Sequence, residues 1–208
     1  INIKNEGLRP LTYELDIPVD TFSVSRSDEP GGPTYSWVDL PANATKIPMT
    51  YNSYTDTIPL KITFPFASYQ FTETLVLSNG MISFSQPLPS QQPLSTCLPD
   101  NTIFFYLIAP FRAELDPSRG GQIRYGTFAD RGMFVLSYEN IPLHEGPLSQ
   151  TYTFQVLLFS DGRIIFQYKT LADLPVKLSA GVQLSPQEVQ QIGCGVSMPL
   201  QNNLAIEL

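Results

Sequence analysis

The sequence predicts an all-β protein: a single, jelly-roll-like β-sandwich of two mainly antiparallel sheets with long Pro-rich loops. Three observations carry this expectation. Apolar and polar residues alternate with a period of two in several stretches, and no long window shows a clean helical period. The 19 prolines and 13 glycines are spread through the chain, and proline is disfavoured in helix interiors and central strands. Asn79-Gly80 and Asp161-Gly162 each stand between two strand patterns, as tight hairpin turns require.

Taken in order, Ile1-Asn2-Ile3 alternates like a strand, and Ser25 to Pro33 reads as a loop broken by Gly31-Gly32-Pro33. Phe71–Leu77 and Met81–Phe84 form a hairpin across Asn79-Gly80. Gln86 to Asp100 holds four prolines among Ser and Gln residues and reads as a long surface loop. The apolar run from Ile103 to Phe111 is a buried strand, its Phe104-Phe105-Tyr106 cluster mostly core. Met133 to Tyr138 is apolar on both faces, which implies burial on both. Thr151–Phe159 and Arg163–Tyr168 pair across Asp161-Gly162. Leu184 to Ile192 has the only helical character, one turn at Pro186–Val189. Asn203 to Leu208 alternates again. No internal linker divides the chain, so residues 1–208 read as one domain.

Composition narrows function. Hydrophobic residues make up 42% of the chain, enough for a substantial core, and charged residues only 15%. The net charge is −7, and no Lys/Arg cluster interrupts it, which argues against nucleic-acid binding. The Ile103–Phe111 run falls well short of the roughly 20 residues of a membrane span, so no membrane insertion is expected. The chain begins at Ile1 rather than Met, as in a processed secreted protein or a trimmed chain.

Candidate chemistry is sparse. Cys97 and Cys194 could pair in an oxidising compartment, closing a loop that contributes roughly 4–5 kcal/mol; the alternative is two buried thiols. Glu114 and Asp116 sit two apart, on one face of an extended segment. They could hold calcium, or Asp116 could cap the turn at Pro117-Ser118. No Asp-x-Asp-x-Asp-Gly loop is present, which favours the turn. His144, the single histidine, lies beside Glu145, but no Gly-x-Ser-x-Gly or catalytic cysteine signature accompanies it. No catalytic residue, resident metal or cofactor is therefore expected. Asn43-Ala44-Thr45 fits a glycosylation acceptor, conditional on a glycosylating secretory route. Trp37 is the sole tryptophan.

Five segments in order resemble the nidogen-like domain of extracellular matrix and cell-surface proteins, and a related sandwich of secreted bacterial and archaeal proteins. They are Val76–Phe84, Ile108–Pro117, Gly120–Tyr125, Phe134–Pro142 and Thr153–Tyr168. Glu114 stands where the family has Asp, Arg124 replaces an aromatic, and Tyr138 replaces the usual Trp. The similarity covers about residues 60–185. It implies a non-catalytic extracellular or cell-surface module that contacts other proteins. Apolar alternation at both ends adds a sharper expectation. Residues 1–30 and 186–208, through Ile1, Ile3, Leu204, Ile206 and Leu208, would complete a neighbour's sheet and build a filament or sheath. The alternatives are internal pairing of both ends, an accessory domain of a secreted protease, and a carbohydrate-binding sandwich.

Overall fold

The computed structural model describes residues 7, 22–85, 97–99 and 106–208. Two sheets stack face to face, every pairing antiparallel, with strands numbered in chain order. The larger sheet runs in the order β1 (Ser25–Arg26), β13 (Leu204–Glu207), β10 (Ile164–Leu171), β9 (Thr151–Phe159), β8 (Met133–Pro142), β7 (Gln122–Phe128), β2 (Thr45–Ile47). The smaller runs β12 (Glu188–Cys194), β11 (Ser179–Ser185), β6 (Leu107–Arg112), β5 (Met81–Ser83), β4 (Tyr69–Leu77), β3 (Ile58–Phe66). Both expected hairpins are present: Leu77 pairs with Met81, and Ile164 with Leu158.

Alternation decides which side chains meet between the sheets. Phe134, Leu136 and Tyr138 of β8, with Tyr152, Phe154, Val156 and Leu158 of β9, point inward against Val76, Ile82, Ile108 and Phe111. Two buried tyrosines tie the layers together through polar bonds. Tyr138 donates from its hydroxyl to the carbonyls of Leu77 (2.6 Å) and Met81 (3.2 Å), on either side of the Asn79-Gly80 turn. Tyr168 donates to the Pro110 carbonyl at 2.7 Å. Gly80 is required at its turn: its φ is +83°, and a Cβ there would lie 2.0 Å from the Phe111 carbonyl oxygen.

The doubly apolar strand β8 is explained by a third layer. Met133, Val135 and Leu157 face outward beneath Leu40. The chain from Tyr35 to Leu40 crosses the outer face of the larger sheet and is held there by two glutamines. Gln167 accepts from the Ser36 N–H (3.1 Å) and donates to the Ser36 carbonyl (2.8 Å). Gln155, with its amide turned to satisfy both partners, does the same for Val38 (2.9 and 3.2 Å). The two glutamines are directly opposite in the sheet, so their amides stand in for a missing strand.

Three expectations change. Pro186-Gln187 is the turn of a β11–β12 hairpin and no helical turn forms there: Gln183 pairs with Val189 and Val182 with Gln190. Ser25–Arg26 is a short strand on β13 rather than loop. The C-terminal strand is also committed within its own molecule, between β10 and β1. Leu204 and Ile206 are fully buried and Leu208 nearly so, hence core residues and not a surface offered to a neighbour. Ile1 and Ile3 lie outside the described residues, as do Phe104, Phe105 and most of the Gln86–Asp100 segment. Pro59 and Pro65 lie in β3, between the alternating apolar residues Ile58, Leu60, Ile62, Phe64 and Phe66, and are tolerated because β3 is an edge.

Candidate functional site

Cys97 and Cys194 form a disulfide with Cα atoms 5.4 Å apart across 97 positions. The bond fastens the 97–99 segment to β12, where the Leu98 N–H also donates to the Gln191 side chain (3.0 Å). Leu98 then covers Leu77, Met81, Leu107 and Ala109 on the outer face of the smaller sheet. No free thiol remains.

The sequence candidates Glu114, Asp116 and His144 come together at one end of the sandwich. Asp116 caps the 3-10 turn Pro117–Arg119: its Oδ1 accepts from the Ser118 N–H (3.0 Å) and from the Ser118 hydroxyl. Its Oδ2 accepts from His144 Nδ1 at 2.8 Å. A carboxylate can only accept, so Nδ1 carries the proton of this bond. Burial pushes the Asp116 carboxyl upward, but the bonds from Ser118 and His144 outweigh it and hold it below the usual range. The imidazole is 41% exposed, and Tyr51 stacks on it with ring centroids 3.6 Å apart and planes 11° from parallel.

Arg119 fixes the loop that carries His144. It donates to the carbonyls of Leu143, His144 (2.6 Å) and Gly146 (3.1 Å). The Glu114 carbonyl accepts from the His144 N–H (2.7 Å), and its carboxylate lies 3.6 Å from Lys177. Burial, with the charges of Glu114, Glu145 and Asp116, raises the Tyr51 hydroxyl above its ordinary range.

This arrangement orients an imidazole but supplies little else. The Ser118 hydroxyl is engaged by Asp116 and both cysteines are oxidised. The two calcium candidates are already partnered by Ser118, His144 and Lys177. Among the described residues no group of three or more His, Cys, Asp or Glu could hold a metal. Asn43 is exposed in the turn before β2. Tyr51 and Arg119 escaped sequence reasoning. Arg119 sits in the turn that Asp116 caps, but nothing in the pattern near Tyr51 points to a residue about 90 positions away.

A disulfide-closed β-sandwich with a third layer laid across its larger sheet defines an all-β module. A family model described as NIDO related matches residues 30–197, and the chain belongs to this nidogen-related family. The match begins at Pro30, 46 residues before the first resembling segment at Val76, in the turn that precedes the glutamine-held crossing. No solved structure matches the chain.

Proposed function

We propose that this protein is a non-catalytic extracellular or cell-surface module, structural or adhesive, that works through contacts with other proteins. Family membership carries the reading, and the disulfide supports it, since such bonds persist in oxidising compartments. Among the described residues no helix is long and apolar enough to cross a membrane.

The contact face is the loop end around His144. Tyr51 (36%), Leu148 (59%) and Val176 (69%) are exposed large hydrophobic residues on loops of the kind that gather there. Tyr51 is of the residue type that anchors protein interfaces, and Leu148 and Val176 add apolar area. A finer version, self-assembly by strand exchange, is confined to the N-terminal segment, because β13 already has partners on both sides.

The test is solid-phase binding of the purified domain to surface and secreted proteins of its source. Saturable binding that Tyr51→Ala and Val176→Glu weaken at least about tenfold, with melting unchanged, supports the reading. Binding indifferent to both substitutions, or turnover that vanishes with His144→Ala, overturns it.

A further inference from the structure

The glutamine-held segment leaves part of the larger sheet's outer face uncovered, and a cavity of about 220 Å³ opens there. Its floor is Glu139 and Asn140 of β8, Thr153 of β9, and Lys169 and Thr170 of β10. Trp37 and Asp39 form the wall, with Arg124 at one side.

Two β-bulges build this floor. The β8–β9 register shifts between Tyr138 and Ile141, and Asn140 sits there in the left-handed region at φ +53°. The β9–β10 register shifts between Tyr168 and Thr170, which singles out Lys169. Bulges re-aim side chains, and a non-glycine residue at positive φ is held by its surroundings. Here the Asn140 N–H donates to Thr153 Oγ1 (2.9 Å), and the Thr153 hydroxyl donates to Asn140 Oδ1 (3.2 Å). The Asn140 amide NH2 keeps its donors for a ligand. Lys169 Nζ lies 5.1 Å from the Trp37 ring centroid and fixes the indole.

Charge decides the ligand class. Arg124 is closed onto Glu139 at 2.8 Å, cancelling one pair, and Lys169 balances Asp39, so the lining has no net charge. The lining is mostly polar, with one indole. The volume is below the roughly 300–1,000 Å³ of pockets for drug-sized molecules.

We propose that this groove binds a neutral sugar residue of a glycan, its hydroxyls meeting Asn140, Thr153, Thr170 and Asp39 and its apolar C–H face meeting Trp37. The proposal is independent of the protein-contact face, which lies at the loop end.

Trp37 is the only tryptophan beside ten tyrosines, so fluorescence excited selectively at tryptophan reports on the groove. The full chain is titrated to millimolar concentration with glucose, mannose, galactose, N-acetylglucosamine and short oligomers of each, with glucuronic acid as the charged comparison. Asn140→Gly keeps the left-handed backbone and removes the amide, and Lys169→Gln keeps a polar side chain of similar reach. A saturable fluorescence change with a neutral sugar, weakened at least about tenfold in both variants while melting is retained, is the expected result. No saturable change with any neutral sugar, preference for glucuronic acid, or equal binding by both variants overturns the proposal.

Discussion

Replacing Tyr138 with Phe removes one oxygen from the centre of the sandwich and nothing else. The ring stays stacked on Phe154, with centroids 4.7 Å apart and planes 11° from parallel. Two bonds disappear, a short one to the Leu77 carbonyl and a longer one to Met81. The Leu77 carbonyl retains only a long 3.3 Å bond from the Gly80 N–H outside the strand ladder. A net hydrogen bond contributes about 1 kcal/mol, and a stranded buried carbonyl adds to the loss, so the expected cost is about 2 kcal/mol. For a chain of this length that corresponds to a melting temperature lower by roughly 4–8 °C. Urea unfolding followed by Trp37 fluorescence and by far-ultraviolet circular dichroism measures it, with an unchanged slope expected. A loss below about 0.5 kcal/mol would refute the view that this hydroxyl ties the β4–β5 hairpin to the opposite sheet.

The disulfide gives a larger effect: Cys97→Ala with Cys194→Ala should cost about 4–5 kcal/mol, on the order of 10 °C in a thermal melt, and an unchanged melt would contradict it. Burial raises the hydroxyls of Tyr138 and Tyr168 far above their ordinary range. Their contribution is therefore intact below about pH 10 and lost as pH rises beyond it, by about 2.7 kcal/mol per pH unit for the pair, so alkaline titration should show unfolding together with late tyrosine ionisation. Asp116, held below the usual range, contributes above about pH 4 and less as pH falls through its folded value. Asp116→Asn should flatten the acid limb of stability against pH. Gly80→Ala forces a Cβ onto the Phe111 carbonyl and should cost several kcal/mol, read as loss of soluble folded protein.

The sandwich was legible where local chemistry fixed it. Asn79-Gly80 and Asp161-Gly162 specified two hairpins because tight turns need residues that accept positive φ. The clean alternation in β9 placed its bounds at Thr151 and Phe159. Leu184 to Ile192 misled because Pro186 followed by Gln and Glu reads equally as a helix start and as a turn; pairing with β6 decides for strand. The terminal alternation was real, but alternation reports that a strand has a buried face, not whose sheet supplies it. The capping role of Asp116 was readable from the adjacent Pro117-Ser118. Tyr51 over His144, and the outer layer held by Gln155 and Gln167, depend on pairings more than a hundred or nearly a hundred positions apart, which no local pattern encodes. The two glutamines did leave a trace, as polar residues that adjoin the apolar outward positions Leu157 and Ile165 along β9 and β10.

The most direct test of an extracellular contact module is the state and place of the natural protein. Cells of the source are fractionated in the presence of a thiol-alkylating reagent, and peptides containing Cys97 and Cys194 are followed by mass spectrometry. The account predicts a single linked pair, free of alkylation, in the secreted or surface fraction. Both thiols alkylated, on a protein recovered from the cytosol, would contradict it.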